Sequence, residues 1–222
     1  MSFGKLYHYP NAPRATMCLV VAALNGLNVE LVEAWPIKVD PSKGGVGDTY
    51  LAKFPTGKVP ALERPDGYTV YECIAVAYYL AKQNPKTTLL GTSLEEESSI
   101  LQWASFANSE LLPPIMAWIN PVVGKAPSSP EILAAAEANN EKLISVLEKT
   151  LHGKKYLVGD NLTLADLFVV AALARGYQFI FTKKFAEAHP NIHEYYLRVR
   201  SIPEYVKTNG EAYVLDEIAF KK

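Results

Sequence analysis

Residues 54–73 read FPTGKVPALERPDGYTVYEC, and their turn, strand and helix signals are the strongest indication of the fold. Its Val59-Pro60 step precedes a strand-like run, and X-Pro bonds are the ones that adopt the cis isomer in tight turns. The pair Asp66-Gly67 lies between two such runs and predicts a β-hairpin. The apolar stretch that begins at Cys73 predicts a helix over residues 73–83.

The chemistry of this stretch suits a small peptide-like anion. A cis-proline turns the backbone N–H and C=O groups of the preceding residue outward, where they can pair with the backbone of a ligand. The N–H groups at the start of helix 73–83, together with the helix dipole, favour a carboxylate. An acidic residue, Glu72, stands directly before that helix.

The residues upstream supply the other elements of an α/β domain. Alternating apolar and polar residues predict strands over 4–9 and 27–35, and the segment 13–25 between them predicts a helix. Pro13 fits the first turn of that helix, with Asn11 or Ala12 as its cap. A loop over 36–50, a short helix over 49–53 and strands over 59–63 and 68–71 complete the pattern. The order strand, helix, strand, helix, strand, strand, helix predicts a thioredoxin-like domain over residues 1–83.

The remainder of the chain predicts helices only. Pro85 and Gly91 mark residues 84–92 as a linker, and an all-helical domain follows over 93–222. The first helix is predicted to run from a capping box at Ser93 and Glu96 to about Asn120, with an interruption at Pro113-Pro114. Three further helices are predicted over 130–153, 163–181 and 191–201, the second opening on a capping box formed by Thr163 and Asp166.

Composition excludes several classes of protein. The 222 residues carry a net charge of −1 with no basic stripe, so we expect no nucleic-acid binding. No run of 18 apolar residues and no signal-peptide pattern occurs, which favours a cytoplasmic protein without a membrane span. The two cysteines, Cys18 and Cys73, form neither a disulfide framework nor a C-x-x-C pair. The four histidines have no metal-ligand spacing, so no metal site is expected.

Five motifs carry a resemblance to a known family over nearly the whole chain, from about Gly4 to about Ala212. They resemble the glutathione transferase family, and within it the transferase-like N-terminal part of the gamma subunit of translation elongation factor one B. The resemblance implies the glutathione transferase fold and glutathione as cosubstrate. The motifs are KLYHYP at 5–10, KFPTGKVP at 53–60, FANSEL at 106–111, YLVG at 156–159 and LTLAD at 162–166.

The resemblance assigns glutathione-binding roles to five residues. Val59, held by Pro60, would pair through its backbone with the cysteinyl unit of glutathione. Glu72 would hold the ammonium group, and the N–H of Cys73 would hold the neighbouring carboxylate. Lys58 would meet the glycyl carboxylate. Position 73 is usually serine in the family, and cysteine is the poorer hydrogen-bond donor, so glutathione affinity is expected to be weaker here.

The group that stabilises the glutathione thiolate stays open among three residues. No serine occurs between Gly4 and Met17, which excludes the serine mechanism used by many family members. Tyr7, Asn11 and Arg14 are the catalytic candidates. Tyr7 also suits a core aromatic, and Asn11 also suits a helix cap. Arg14 stands in the first turn of a helix, where the dipole disfavours a cation unless an anion lies nearby.

The second substrate is expected to be a small apolar electrophile bound between the domains. The first domain would contribute Tyr9 and Pro10 to its pocket. The helical domain would contribute Asn108, Leu112 and Trp118. Such a pocket would be mostly apolar, although aromatics at helical spacing are also typical of a core.

Two functions follow from the resemblance. The first is a glutathione transferase that detoxifies electrophiles or acts as a tailoring enzyme of secondary metabolism, including cis–trans isomerisation, in the manner of stand-alone fungal members. The alternative is a scaffold subunit that binds a nucleotide-exchange subunit in translation. If Lys222 is the end of the protein, the Lys-rich linker and further domain of the gamma subunit are absent and the enzyme is favoured; if the chain is a piece of a longer protein, the scaffold regains support. A non-catalytic ligand-binding protein is a third reading. A homodimer is expected from the family.

Overall fold

A computed structural model of the chain describes residues 2–37, 42 and 45–220. These residues separate into two compact units, Met1–Leu90 and Gly91–Lys222. The division between Leu90 and Gly91 falls inside the segment 84–92 that the sequence marks as a linker. Each unit has its own buried apolar core.

The first unit is a thioredoxin-like α/β domain, as the sequence predicts. Its four-stranded sheet has the order β2-β1-β3-β4, in which β1 and β2 are parallel and the other neighbours antiparallel. The strands are β1 (Gly4–His8), β2 (Val29–Glu33), β3 (Ala61–Glu63) and β4 (Thr69–Tyr71), and the helices are α1 (Pro13–Leu24), α2 (Asp48–Leu51) and α3 (Cys73–Lys82).

The two sides of this sheet carry different helices. Leu6 is fully buried, and its neighbour Tyr7 points to the opposite side, where its ring lies 5.2 Å from that of Tyr50 and 5.5 Å from that of Phe54. Helices α1 and α3 pack against each other. Both bury apolar side chains, so the core of this unit lies between them and the sheet.

The second unit is all helical, which also confirms the prediction. Helix α7 is central, because its residues from Leu164 to Ala174 are all buried, and it packs against α4, α5 and α9. The helices are α4 (Leu94–Phe106), α5 (Leu112–Val122), α6 (Pro130–Leu151), α7 (Leu164–Phe179), α8 (Lys183–Ala188), α9 (Pro190–Arg200) and α10 (Pro203–Asn209).

The predicted interruption at Pro113-Pro114 was wrong in position and kind. Residues 107–111 form one π-helical turn between α4 and α5. The two prolines then stand in the first turn of α5, where a missing N–H leaves no hydrogen bond unmade. The departure from α-helical geometry therefore lies in the π-helical turn, which precedes the two prolines.

The capping box at the start of α7 is present as predicted. The Asp166 carboxylate accepts from the N–H of Thr163 at 2.8 Å, and the Thr163 side chain accepts from the N3 backbone. The same carboxylate accepts from the N–H of Leu157 and the hydroxyl of Tyr195, both at 2.9 Å. At Ser93 the box is incomplete: the hydroxyl accepts from the N–H of Glu96, whose carboxylate bonds to Thr92 instead.

Other boundaries differ from the predictions by a few residues. Strands β2 and β3 are shorter than expected, and the cap of α1 is Ala12 and not Asn11. Helices α8 and α10 were missed because six and seven residues are too few to show a helical period. No helix within the described residues is long and apolar enough to cross a membrane.

Candidate functional site

One edge of the sheet gathers the residues expected to bind glutathione. The register aligns Tyr7 of β1 with Ala61 of β3, and Ala61 with Tyr71 of β4. The residues just beyond these three positions therefore lie side by side. They are the end of β1 with Tyr9, the Val59-Pro60 step before β3, and Glu72 with Cys73 after β4.

The Val59-Pro60 peptide bond is cis, as the sequence suggested. Val59 is half-buried, whereas Pro60 is buried against the sheet. The preceding residue, Lys58, has an exposed side chain, and its carbonyl accepts a 2.6 Å hydrogen bond from the hydroxyl of Tyr50. Tyr50 thus holds the backbone of this turn from the α2 side.

Glu72 has a backbone that few residues adopt. It stands at the N-cap of α3 with φ 69° and ψ 123°, and its side chain is exposed and makes no capping hydrogen bond. A left-handed φ costs a non-glycine residue about 1–3 kcal/mol and is typical of functional sites. The strain lies at the position predicted to meet the ammonium group of a ligand.

Cys73 opens α3 and is 3% exposed. Burial raises the pKa of its thiol to about 11, while the positive charge of Arg14 acts in the opposite direction. The thiol therefore stays neutral at physiological pH. The Cys18 thiol of α1 lies 3.6 Å from the carbonyl of Cys73, which joins the two helices at this edge. Cys18 and Cys73 are not joined in a disulfide.

Asn11 and Arg14 lie at the start of α1, on the same edge. Asn11 is exposed and has φ 59°, a left-handed conformation that asparagine tolerates better than most residues. Arg14 is half-buried in the first turn of α1, and its charge acts on the thiol of Cys73 in α3. Among the described residues, Asn11 and Glu72 are the two non-glycine positions with positive φ, and each lies just before or at the start of a helix at this edge.

Tyr7 has another partner. Its hydroxyl donates a 2.7 Å hydrogen bond to Glu63, which also forms an ion pair with Lys53. Burial and the hydrogen bond to Glu63 raise the pKa of Tyr7 to about 12. The ring lines a cavity of about 330 Å³ on the α2 side of the sheet, together with Asp48, Thr49 and Lys53. The single hydroxyl proton of Tyr7 is therefore already used in a structural hydrogen bond to Glu63.

The end of β1 also carries a stacked aromatic pair. The ring of Tyr9 lies 4.7 Å from that of Trp35, with 18° between their planes. The indole N–H of Trp35 donates to Glu33 at 2.7 Å, which fixes the orientation of that ring. Both residues are half-buried, while Pro10 next to them is exposed.

The predicted pocket residues of the second unit have different surroundings. Leu112 and Trp118 are 4% and 7% exposed, and Trp118 packs edge-on against Phe181 at 6.1 Å. Their contacts within this unit are those of core residues. Asn108 is half-buried on the π-helical turn. Among the described residues, no group of three His, Cys, Asp or Glu side chains is arranged to hold a metal ion.

Sequence reasoning missed three side chains that shape this edge. Glu63 accepts the hydrogen bond of the Tyr7 hydroxyl, Tyr50 donates to the carbonyl of Lys58, and Trp35 stacks on Tyr9. Of these three, only the position of Trp35 could have been inferred from the sequence, because parallel pairing of β1 with β2 places the residues after both strands at one edge. The other two contacts depend on the position of α2 against the sheet, which no periodicity in the sequence specifies.

Family models match both units. The model of the glutathione S-transferase N-terminal domain matches residues 2–82, and that of the C-terminal domain matches residues 111–203. Glutathione S-transferase AN1595 of Emericella nidulans is 38% identical over 91% of this chain and 74% of its own length. Glutathione S-transferase stcT of the same organism is 34% identical over 95% and 93%.

Elongation factor 1-gamma is a further relative. The human protein is 32% identical over 99% of this chain, which spans only 49% of the human protein. The GST-like domain of elongation factor 1-gamma from Saccharomyces cerevisiae has the same fold, with a TM-score of 0.82, 27% identity and full coverage of both chains.

A fungal transferase structure supports the same fold. Glutathione transferase URE2P6 from Phanerochaete chrysosporium, solved with oxidized glutathione, has a TM-score of 0.82 at 23% identity and covers 93% of this chain and 94% of its own. The two domain matches and the full-length similarity to stcT lead to one conclusion. This chain belongs to the glutathione S-transferase family.

Proposed function

We propose that the protein is an enzyme that binds glutathione, holds it as the thiolate and adds it to an electrophile. The observation that carries this proposal is that the register of β1, β3 and β4 brings Val59, Glu72 and Cys73 to one sheet edge, where the charge of Arg14 acts on the Cys73 thiol. Family membership and the glutathione-bound state of a fungal neighbour support it.

Binding would use the backbone as much as side chains. Val59 would pair with the cysteinyl unit, and the first N–H groups of α3 would hold the carboxylate beside the ammonium group. The exposed carboxylate of Glu72, at the N-cap of α3, would hold that ammonium group. Lys58, exposed on a turn whose backbone Tyr50 holds, would meet the glycyl carboxylate.

The thiol would be directed to the start of α1. A thiolate is the nucleophile, and a nearby cation or hydrogen-bond donor lowers the pKa of a thiol. Arg14 would supply the positive charge and Asn11 an amide donor. We leave Tyr7 out of the mechanism, because its hydroxyl proton already bonds to Glu63 on the other side of the sheet.

The reaction would form one sulfur–carbon bond. The glutathione thiol loses its proton to solvent, and the thiolate then attacks the electrophilic carbon of the second substrate. Either a leaving group departs with the bonding pair, or a conjugated double bond takes up the electrons and then a proton. Reversal of addition after rotation about that bond gives cis–trans isomerisation, so one site would serve both conjugation and a tailoring reaction of secondary metabolism.

Calorimetric titration with glutathione tests the binding half of the proposal. We expect saturable micromolar-to-millimolar affinity that falls at least tenfold in Glu72→Gln, because a hydrogen bond to a charged group contributes about 1.5–3 kcal/mol. Glu187→Gln removes the same charge from an exposed site in the second unit and should leave the affinity unchanged. Equal affinity in parent and Glu72→Gln would contradict the assigned role of Glu72.

A scaffold role in translation is the second candidate, supported by the full-length match to the GST-like domain of yeast elongation factor 1-gamma. This role requires a surface that binds the partner protein, and it does not require a glutathione thiolate. The scaffold role predicts a folded chain that binds a nucleotide-exchange subunit. It also predicts no heat of glutathione binding up to 10 mM glutathione, a concentration about tenfold above the highest dissociation constant that we expect for the enzyme. Glutathione binding together with turnover of an electrophile would exclude it as the sole function.

A further inference from the structure

The hydroxyl of Tyr50 lies where it can orient the backbone that is proposed to hold glutathione. We infer that Tyr50 is a positioning residue, whose hydroxyl fixes the Lys58–Val59 peptide group so that the N–H of Val59 is presented to the cysteinyl unit of glutathione. This inference rests on the proposed function, since it concerns a group that would contact the same ligand. Tyr50 would act through Val59, without contacting glutathione itself.

A single peptide group joins Tyr50 to the backbone of Val59. The carbonyl of Lys58, which accepts from the Tyr50 hydroxyl at 2.6 Å, and the N–H of Val59 belong to the same peptide unit. This unit is planar and, unlike the Val59-Pro60 bond that follows it, trans. Its C=O and N–H groups therefore point in opposite directions. Because the carbonyl is held toward Tyr50 and α2, the N–H of Val59 points away from that helix.

The N–H of Val59 is available to a ligand. Within the part of the chain that the structure describes, no protein group accepts a hydrogen bond from it. Val59 is half-buried, and Pro60 after it is buried. A backbone N–H that has no protein partner requires water or a ligand, because an unpaired N–H away from water is costly. The backbone carbonyl of a peptide ligand is an acceptor of the kind that this N–H requires.

The ring of Tyr50 is held in place by its neighbours. It lies 5.2 Å from the ring of Tyr7, with 81° between the planes, and 4.8 Å from the ring of Phe54. Tyr7 is itself held by its hydrogen bond to Glu63, and Phe54 is fully buried. A hydroxyl on a ring that is already ordered loses little conformational entropy when it bonds. The Tyr50 hydroxyl is therefore a fixed donor to which the carbonyl of Lys58 is aligned.

The hydrogen bond also completes the ordering of the segment between α2 and Val59. The N–H of Gly57 donates to the carbonyl of Phe54 at 3.0 Å, and the N–H of Ile37 donates to the carbonyl of Gly57 at 2.8 Å. These bonds fix the chain as far as Gly57, and the Tyr50 hydroxyl fixes the next carbonyl, that of Lys58. Burial raises the pKa of the Tyr50 hydroxyl above its ordinary value of about 10, so it remains a donor at neutral pH.

Calorimetric titration of Tyr50→Phe with glutathione tests this role. The variant keeps the ring and its packing and loses only the hydroxyl. We expect the dissociation constant for glutathione to rise about three- to tenfold, the range of one neutral hydrogen bond. The pKa of the bound glutathione thiol should stay within about 0.3 unit of the parental value, because Arg14 and Asn11 are proposed to act on the thiol from the start of α1.

Tyr79→Phe is the matched control. The Tyr79 hydroxyl accepts a 2.8 Å hydrogen bond from Arg64 in the same unit, so this variant removes an equivalent atom from a bond that does not involve Lys58. It should keep the parental affinity for glutathione, whatever its effect on stability. An equal loss of affinity in Tyr79→Phe would assign the effect to general destabilisation of the unit and would overturn the role of Tyr50.

A second comparison separates the backbone of Lys58 from its side chain. Lys58→Ala removes the ammonium group that is proposed to meet the glycyl carboxylate, and it keeps the carbonyl that Tyr50 holds. Tyr50→Phe should raise the dissociation constant by the same factor in this background as in the parent, because the two changes act on different parts of glutathione. If Tyr50→Phe had no effect in the Lys58→Ala background, the hydroxyl would act through the ammonium group, and the assignment to the N–H of Val59 would be overturned.

Glutathione binding by the parent separates this inference from the proposed function. If the parent binds glutathione and Tyr50→Phe binds it equally tightly, only the role of Tyr50 is overturned. A thiol pKa that changed together with the affinity in Tyr50→Phe would also overturn it, because the hydroxyl would then act on the thiolate and not only on the backbone of Val59. Absence of glutathione binding in the parent would overturn the proposed function and the inference that rests on it.

Discussion

At the scale of single residues, Cys73 stands at the start of α3, where the resemblance implies a serine. Its thiol is buried and stays protonated, since burial raises its pKa to about 11. A neutral thiol is a weak hydrogen-bond donor, whereas a serine hydroxyl is a good one. We expect Cys73→Ser to bind glutathione about three- to tenfold more tightly, by calorimetry, because the carboxylate gains a stronger donor.

Cys73→Ala is the matched control for this change, because it removes the thiol without adding a donor. It should bind glutathione no more tightly than the parent. If serine and alanine at position 73 gave the same affinity as cysteine, the side chain at this position would not contact the carboxylate.

At the same scale, the sequence anticipated backbone features better than side-chain partners. The cis bond before Pro60 and the acidic residue at the start of α3 follow from local residue types. The partners of Tyr7 do not, because Glu63 comes from a strand 56 residues away and Lys53 from the turn after α2. The sequence therefore offers Tyr7 as a catalytic candidate, because it does not show that the Tyr7 hydroxyl bonds to Glu63 in the folded sheet.

At the scale of elements, the close approach of α7 to the residues that follow it depends on one glycine. A methyl group added to Gly176 would lie 2.1 Å from the ring of Phe181, which is fully buried. Overpacking of this kind costs about 1–3 kcal/mol. We expect Gly176→Ala to lower the free energy of unfolding by that amount in chemical denaturation.

Gly47→Ala supplies the comparison, since a methyl group there meets no atom within 4 Å. It should change stability by less than about 0.5 kcal/mol. A parental stability for Gly176→Ala would mean that Phe181 moves aside without loss of packing.

Helix boundaries were predicted correctly where residues close together in the sequence determine them. The box of Thr163 and Asp166 marks the start of α7 by residue type and spacing alone. The π-helical turn at residues 107–111 has no such mark in the sequence; it lies between α4 and α5, which both pack against α7. Helices α8 and α10, each under two turns, escaped sequence reasoning because they are too short to show a helical period.

At the scale of the whole molecule, the second unit buries a group of ionisable phenols. Burial is the main cause that raises the pKa of each above its ordinary value of about 10. A raised pKa in the folded state stabilises the protein below pH 10, and this contribution is lost as pH rises further. The residues are Tyr177, Tyr195, Tyr196 and Tyr205.

We therefore expect stability to be nearly constant from pH 8 to 9.5 and to fall by more than about 2 kcal/mol by pH 11.5. Tyrosinate absorbance at 295 nm, recorded with far-ultraviolet circular dichroism, checks the cause. The signal of these four phenols should appear together with the loss of helix. Ionisation of all tyrosines near pH 10 with the helices intact would contradict the assignment.

The division into two units and the fold of each were predictable from the sequence, because cis-proline turn, hairpin and capping signals are local and agree with one another. Function at this scale was less predictable. The same fold occurs in transferases and in the GST-like domain of elongation factor 1-gamma. We expect the chemistry of the sheet edge to distinguish the two functions in this chain.

The pKa of the bound glutathione thiol decides whether this site forms a thiolate. A pH titration of thiolate absorbance near 240 nm, with saturating glutathione, should give a thiol pKa at least one unit below the free value of about 8.5. Arg14→Leu should return the pKa to within about half a unit of that value while glutathione still binds. If the thiol of glutathione bound to the parent titrated like that of free glutathione, the site would not stabilise the thiolate, and the proposed catalytic role would be contradicted.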